Sequence, residues 1–319
     1  MVYAIACVVS FLIMYFATPF LIKLAFKTGY VENPRPDLER KMHKEPKPYL
    51  ASVGMFGGFW LVFFALTRRV DAKTAILFAA SFLILIIGML DDWYKINKKD
   101  LHALPKFVLQ LSACAAVCFA GYLIVGVNNP FNNTFLDFPV ALQFIVTILW
   151  IFGVTTVINF TDGLDGLSGG IVCISATTLF IVALVKGQSY SAIMSAILVG
   201  ICVGYLKYNR FPSKILMGDA GATFLGFMLA VISLEGAFKQ ATFISIFVPV
   251  LAFGLPIFDN LYVAVKRIKE GRPFYVGDAT QAHFRLLSHG LSQKQAVYFL
   301  YLISICLNLV AVIIFMIKL

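Results

Sequence analysis

The sequence contains little charge and little histidine for its length. Only 13% of its 319 residues are charged and only four are histidine, whereas 60% are hydrophobic. The mean hydropathy is +0.88. Soluble domains carry about 25% charged residues. This composition therefore excludes a soluble globular protein and points to a chain whose apolar surface faces lipid.

The sequence also lacks the cysteine spacings of a metal or redox site. None of its six cysteines belongs to a CxxC motif or to a Cys/His ligand pattern. A zinc site or a disulfide framework is therefore not expected. All six lie inside apolar runs, where small apolar core residues are the simplest interpretation. They are Cys7, Cys114, Cys118, Cys173, Cys202 and Cys306.

Long apolar runs are what the sequence has in abundance. A transmembrane helix needs about 20 predominantly apolar residues. Ten runs approach this length, which predicts an all-α integral membrane protein, with about ten helices in one bundle and a single domain over 1–319. The shortest run lies between Asp219 and Glu235. The ten candidate spans are 1–22, 48–67, 74–90, 107–126, 138–158, 166–185, 190–206, 220–234, 240–258 and 295–317.

The basic residues predict how this bundle is oriented. Twenty of the 26 Lys and Arg residues fall in four alternate connections, at 23–47, 91–106, 207–214 and 266–294. The positive-inside rule makes these connections cytoplasmic, and both termini then face outward. The net charge of +10 is mostly a signal of this topology, so we expect a lipid bilayer and no nucleic acid as partner.

The acidic residues gather on the same predicted side. Thirteen of the 16 lie there, and the notable ones occupy the ends of apolar runs rather than loop centres. Asp91 and Asp92 end the third run, Asp162 and Asp165 precede the sixth, and Asp219 opens the eighth. An ionisable group at membrane depth costs about 2.5–3.5 kcal/mol at a helix centre. A shared function explains such a group of carboxylates better than separate helix caps.

These carboxylates and the glycines beside them suit phosphate chemistry. Clustered carboxylates repel one another unless a cation joins them, and oxygen ligands favour Mg²⁺ or Mn²⁺. In "DGLDGLSGG" and "GDAGATFLG" the glycines allow close backbone approach, and the following helix starts offer free N–H groups to anions. The pattern predicts a magnesium-dependent phosphoryl transfer at the cytoplasmic interface.

Five motifs, taken in order, resemble those of the polyprenyl-phosphate N-acetylhexosamine-1-phosphate transferases. They are "RKMHKEPKP" with "GMFGG", "GMLDDW", "LPKFVLQL", "NFTDGLDGLSGG" and "FPSKILMGDAGATFLGF". The resemblance implies a membrane bundle in the bacterial cell membrane with a cytoplasmic active site. It also implies transfer of a sugar 1-phosphate from a UDP-sugar to undecaprenyl phosphate, with release of UMP. It leaves a homodimer open.

The resemblance also implies roles for individual residues. Asp219 would be the leading Mg²⁺ ligand, with Asp91 and Asp92 at the metal and the acceptor phosphate and one of them deprotonating the acceptor. Asn159, Asp162 and Asp165 belong to the nucleotide and diphosphate region, and Lys106 would neutralise phosphate charge. The expected catalytic residues are thus Asp91, Asp92, Asp162 and Asp165, the metal ligands Asp219 and Asp92, and the substrate-binding residues Lys106, Asn159, His43, His283 and Arg285.

Two positions depart from the family pattern. The last cytoplasmic loop reads "GDATQAHFRLL", in which Asp278, His283 and Arg285 align with the family. Gln281 and Phe284 stand where the family has the outer two of three histidines. This loop is expected near the donor sugar. The resemblance makes UDP-N-acetylglucosamine the first candidate, and the altered loop makes another N-acetylated or deoxy sugar the alternative. Leu216 stands where the sister translocase of peptidoglycan synthesis has a phenylalanine that stacks on uracil.

Three rival functions remain to be weighed. The sister translocase, which transfers phospho-N-acetylmuramoyl-pentapeptide, shares most of these motifs. An ion-coupled transporter would place its carboxylates near mid-membrane, whereas these lie at helix ends. A CDP-alcohol phosphotransferase would show DGxxAR with spaced aspartates, and "DGLDGL" lacks the arginine.

Overall fold

The computed structural model describes residues 1–34, 45–99, 101–128, 134–236, 243–271 and 280–317. Helices dominate these residues because backbone N–H and C=O groups inside a bilayer must find partners within the chain. The helices are α1 Val2–Thr28, α2 Ala51–Thr67, α3 Ala72–Ile96, α4 Ala103–Phe119, α5 Val140–Thr161, α6 Leu167–Val185, α7 Ser189–Asn209, α8 Gly218–Gly236, α9 Phe243–Ala252, α10 Gly254–Lys269, α11 Ala282–Ser288 and α12 Gln293–Ile317. Antiparallel pairing joins β1 Val31–Glu32 to β2 Lys47–Pro48, and β3 Gly126–Asn128 to β4 Phe135–Asp137.

The prediction of an all-α membrane bundle is confirmed. The predicted number of about ten spans agrees only approximately with the helices that the structure shows. Among the described residues, seven helices are long and apolar enough to cross a membrane, namely α1, α3, α5, α6, α7, α8 and α12. The helices α2 and α4 are apolar but shorter. The ninth candidate span, 240–258, is not one helix, because α9 and α10 meet at Phe253.

Polar side chains support this break between α9 and α10. Pro249 lies inside α9 and has no backbone N–H to donate. The carbonyl of Ala252, the last residue of α9, accepts hydrogen bonds from Ser175 Oγ at 2.6 Å and Asn308 Nδ2 at 3.2 Å. In a continuous helix this carbonyl would accept from the N–H of residue 256, but Pro256 has none. Side chains of α6 and α12 therefore supply the donors that the chain itself lacks where α10 begins.

The shortest candidate span, 220–234, forms the central helix of the bundle. It extends to 19 residues as α8, and nearly all of its side chains are buried. Small residues let its neighbours approach closely. A Cβ on Gly88 of α3 would lie 2.3 Å from Ala220 Cα, and one on Gly226 of α8 would lie 2.9 Å from Thr155 Cα of α5. The acidic end of α3 is thereby held against the start of α8.

The hairpin of β1 and β2 packs on the same end of the bundle. The backbone N–H of Leu216 donates to the Pro48 carbonyl at 2.9 Å, and the Lys47 ammonium donates to the Ser213 carbonyl. Tyr30, which precedes β1, donates its hydroxyl proton to the Met89 carbonyl of α3. These contacts tie the first basic connection to the segment that leads into α8.

Candidate active site

The carboxylate of Asp92 forms the N-terminal cap of α8. Its Oδ1 accepts the backbone N–H of Asp219 at 2.9 Å, and its Oδ2 accepts that of Ala220 at 3.1 Å. The side chain is fully buried. Gly218 has a φ of +65°, and a Cβ there would lie 2.4 Å from Asp92 Oδ2. Asp92 therefore satisfies two N–H groups that the helix leaves free, and it fixes the position of Asp219.

Two lysine ammonium groups lie between the carboxylates of Asp91 and Asp219. Lys106 Nζ is 2.8 Å from Asp91 Oδ2 and 2.7 Å from Asp219 Oδ2. Lys95 Nζ is 2.9 Å from Asp91 Oδ2 and 2.8 Å from Asp219 Oδ1. Charge-assisted contacts of this length are the strong ones in a partly buried setting. They join α3, α4 and the start of α8 into one charged centre.

Lys95 is a site residue that the sequence interpretation missed. The signal for it was present, because Lys95 follows Asp91 by four residues in "DDWYK" and such a pair shares one face of a helix. With Asp92, whose oxygens face backbone N–H groups, the centre holds three carboxylates and two ammonium groups, which leaves one negative charge in formal terms. Asn159 Nδ2 lies 3.5 Å from Asp219 Oδ2, at the limit of a hydrogen bond.

The loop between α5 and α6 is fastened to the segment that precedes α8. Asp165 Oδ2 accepts the backbone N–H of Ser213 at 2.9 Å. Asn209 Oδ1 accepts the N–H of Gly166 at 2.8 Å, and its Nδ2 donates to the Ile215 carbonyl at 2.8 Å. One carboxylate oxygen of Asp165 thus serves as an anchor. Asn209 was also missed, since a lone asparagine at the end of an apolar run gave no signal.

Asp162 differs from its neighbour Asp165. Among the described residues its carboxylate has no hydrogen bond or ion pair, and the residue is only partly buried. The protein around the group nevertheless withholds water, and this burial, followed by the negative charges of Asp219 and Asp165, raises its pKa to about 7. A carboxyl group of this kind can take or give a proton near neutral pH.

The short helix α11 brings His283 to the same loop. A Cβ on Gly163 would lie 2.0 Å from His283 Nε2, so only glycine fits beneath the ring. His283 is 2% exposed, and its Nε2 has no hydrogen-bond partner among the described residues. Burial, together with the nearby charge of Arg285, lowers the pKa of His283 to about 4. The imidazole is therefore neutral at physiological pH. The ring of Phe284 lies 4.3 Å from it.

The structure places Arg285 beside α10 rather than among the carboxylates of α3 and α8. Its Nη2 lies 3.0 Å from Asp259 Oδ1, and its guanidinium lies 4.2 Å from the centre of the Tyr262 ring. His43 and Asp278 fall outside the described residues, so their predicted positions stay predictions.

The chemistry of these groups fits a magnesium ion. Among the described residues no three His, Cys, Asp or Glu side chains converge to hold a metal by themselves. However, Asp91 and Asp219 converge from two helices on positions that ammonium groups fill, so the site is built to hold positive charge. Mg²⁺ commonly binds through one or two carboxylates and completes its shell with substrate phosphates and water.

Comparison with known proteins identifies a family whose model covers the carboxylates of this site. The model of glycosyl transferase family 4 matches residues 74–237, a range that includes every carboxylate of the charged centre. A protein of Bacillus subtilis (strain 168), named probable undecaprenyl-phosphate N-acetylglucosaminyl 1-phosphate transferase, is 31% identical over 309 residues, which cover 97% of this chain and 84% of that protein.

Two further relatives differ in how much of this chain they match. The decaprenyl-phosphate N-acetylglucosaminephosphotransferase of Mycobacterium tuberculosis (strain ATCC 25618 / H37Rv) is 32% identical over 324 aligned positions, with 91% of this chain and 77% of that protein covered. The phospho-N-acetylmuramoyl-pentapeptide-transferase of Clostridium acetobutylicum is 28% identical over 232 positions, with 71% and 73% covered. The likeness to the two proteins named for N-acetylglucosamine phosphate thus extends over more of the chain.

Proposed function

The chain belongs to glycosyl transferase family 4, and from this membership we propose that it transfers N-acetylglucosamine 1-phosphate from UDP-N-acetylglucosamine to undecaprenyl phosphate, with release of UMP. The observation that carries this function is the match over 97% of the chain to a relative named for that acceptor and that sugar phosphate. The product holds the sugar to the lipid through a diphosphate, a form from which a cell-surface polysaccharide can be built.

The transfer exchanges one phosphorus–oxygen bond for another. An oxygen of the acceptor phosphate attacks the phosphorus that carries the sugar, the bond from that phosphorus to the bridging oxygen breaks, and UMP leaves with the bond electrons. A phosphate monoester has a second pKa of about 6 and is already largely dianionic at neutral pH. The protein's main tasks are therefore to bring two anions together and to neutralise their charge.

The described residues supply groups for both tasks. Lys95 and Lys106 present ammonium groups at the charged centre, where they can compensate the phosphates. The start of α6, held by Asn209 and Asp165, offers backbone N–H groups to an anion. Asp162 is the carboxylate best suited to take the proton from the fraction of acceptor that still carries one, because its pKa lies near neutrality.

We assign Mg²⁺, with Mn²⁺ as an alternative, to Asp219 and Asp91. When bound, the cation withdraws electron density from the diphosphate and stabilises the leaving UMP. Asp92, the second metal ligand expected from the resemblance, acts on this site through Asp219 instead, because both of its oxygens accept backbone N–H groups. Asn159 lies at the edge of the same centre and belongs to the donor side.

The protein is a multi-pass membrane protein, and we propose that its charged centre faces the cytoplasm of a bacterial cell with both termini outside. The proposal rests on the distribution of basic residues. A prenyl chain can then remain in the bilayer while its phosphate reaches the site, and the soluble UDP-sugar arrives from the cytosol. Neither substrate has to cross the membrane.

The test is a transfer assay on the purified protein. The protein should be incubated with undecaprenyl phosphate, Mg²⁺ and one UDP-sugar at a time, including UDP-N-acetylmuramoyl-pentapeptide. The lipid product should then be identified by mass. We expect a product with N-acetylglucosamine, no product in EDTA, and recovery when Mg²⁺ or Mn²⁺ is restored. A pentapeptide product would favour the sister translocase instead, and full activity in chelator would contradict the metal assignment.

A further inference from the structure

A carboxylate of α10 holds the first turn of α11. Asp259 accepts the backbone N–H of Ala282 with both oxygens, at 2.9 Å each, and receives Arg285 Nη2 at 3.0 Å on Oδ1. The Asp259 side chain is only 13% exposed. Three contacts from one side chain thus join α10 and α11, which precede and follow residues 272–279 in the sequence.

The helix α11 depends on this contact. It spans only seven residues, and its N-cap residue Gln281 makes no side-chain cap. A helix this short has too few internal bonds to form by itself in water, and its N–H groups at the start need outside acceptors. Asp259 supplies the acceptor from another helix, and its negative charge also suits the positive end of the helix dipole.

Arg285 is held from two sides in the same contact. Its guanidinium lies between the Asp259 carboxylate and the face of the Tyr262 ring, both on α10. A guanidinium bound to a carboxylate and stacked on an aromatic ring has a defined orientation. The side chain therefore fixes the second turn of α11 to α10, just as Ala282 fixes the first.

The consequence is the placement of His283 between these two contacts. Its ring lies against Gly163 with no room for a methyl group, so a small displacement of α11 would either open this contact or cause a clash. We propose that Asp259 is a positioning residue that fixes α11 and thereby presents His283 to the UDP-sugar at the loop between α5 and α6. The inference rests on the proposed function, since it needs a donor in that loop.

Hydrogen exchange and kinetics together test it. The variants are Asp259→Ala and Asp259→Asn, and Glu270→Gln is the matched control because Glu270 directly follows α10 and lies well exposed. In Asp259→Ala we expect faster exchange in peptides covering 280–288. We also expect the KM for the UDP-sugar to rise about tenfold to a hundredfold, since the loss of a well-placed hydrogen bond to a substrate has effects of this size. The KM for undecaprenyl phosphate should not change.

The conservative variant separates positioning from folding. Asp259→Asn keeps an acceptor oxygen for Ala282 and loses the charge that holds Arg285, so its donor KM should fall between those of wild type and Asp259→Ala. The inference is overturned if exchange in 280–288 is unaltered. It is also overturned if exchange rises without a change in donor KM, or if both KM values and the melting temperature deteriorate together. A wild type inactive with every donor would refute the proposed function, and the exchange data would still decide whether Asp259 fixes α11.

Discussion

The ammonium of Lys95 lies 2.9 Å from Asp91 Oδ2 and 2.8 Å from Asp219 Oδ1, so a single side chain links the end of α3 to the start of α8. Without this link, and that of Lys106, the carboxylates of Asp91 and Asp219 would face one another without a counter-charge between them. The lysines thus explain how a bundle in an apolar setting retains its carboxylates. They also place positive charge where, under the proposed function, the two phosphate substrates meet.

Replacement of Lys95 should therefore affect both stability and catalysis. In Lys95→Met we expect a lower melting temperature, because Asp91 and Asp219 lose a shared counter-ion, and a fall in turnover of about 10²–10³, as for other single electrostatic contributors. Lys99→Met is the control, since Lys99 is exposed just beyond α3. Turnover and thermal unfolding in detergent measure the two effects. A variant that matches wild type in both would remove Lys95 from the site.

Asp219→Asn and Asp92→Asn should each reduce turnover at least about a hundredfold, but for different reasons. Asp219→Asn keeps the shape but loses the charge that would bind a cation and that pairs with Lys95 and Lys106, so a lower melting temperature is expected as well. Asp92→Asn keeps one acceptor oxygen but sets its NH₂ against the backbone N–H of either Asp219 or Ala220, so it should also unfold at lower temperature. Asp137→Asn, on the exposed β4, serves as the control. Near-normal turnover of Asp219→Asn would contradict its role as a metal ligand.

The sequence predicts the class of fold because lipid-facing helices must be long and apolar, but it underestimates α8. Its uncharged run is short because Asp219 and Glu235 fall within the helix, where Lys106 and Lys73 pair with them inside the protein. Counting charges along the chain cannot recognise pairs that form only in the fold.

The break between α9 and α10 was not predicted, although Pro249 and Pro256 within the run gave a signal for it. The run 240–258 is apolar throughout, and the Ser175 and Asn308 groups that stabilise the break come from α6 and α12. For the site, motifs placed the carboxylates correctly near one another. The division of labour, with Asp92 as a cap and Asp165 as an anchor, depends on contacts with backbone groups that no motif specifies.

The pH dependence of stability should carry a contribution from His283. Its pKa in the folded protein, about 4, lies below the ordinary 6.5 because the ring is buried. Between these values the unfolded chain binds more protons, so the contribution is complete above pH 6.5 and is lost as the pH falls toward 4. The melting temperature of His283→Gln should therefore fall less than that of wild type between pH 7 and about pH 5.

The exposed His289, beside the same helix, provides the control for this measurement. His289→Gln should follow the wild-type profile of melting temperature against pH. If His283→Gln and wild type lose the same melting temperature over this range, then the imidazole of His283 is not held neutral by burial.

The predicted orientation can be tested on intact cells. In a background without native cysteines, Val70→Cys should react with an impermeant maleimide because the connection after α2 is predicted to lie outside. Lys214→Cys, exposed in the connection before α8, should react only after permeabilisation. Labelling of Lys214→Cys in intact cells would reverse the assignment and place the active site outside.

The last prediction concerns the choice of donor sugar by α11. Gln281 is buried and its Oε1 has no hydrogen-bond partner among the described residues, and the same holds for Nε2 of His283. A buried polar atom left without a partner is costly, and both atoms are covered by protein here, so we expect them to gain a partner only if α11 shifts when the donor binds.

Sites built on such contacts discriminate strongly against ligands that cannot make them. A competition assay among UDP-sugars should therefore show different selectivity for wild type and for the double variant Gln281→His/Phe284→His. Phe284→Leu keeps an apolar side chain beside His283 and is the control, which should leave the selectivity as in wild type. We expect UDP-N-acetylglucosamine to be the best donor of the wild type, and the double variant to change its ratio of kcat/KM to that of a second N-acetylated sugar. If this ratio stays the same, α11 does not select the sugar, and recognition must come from the loop between α5 and α6.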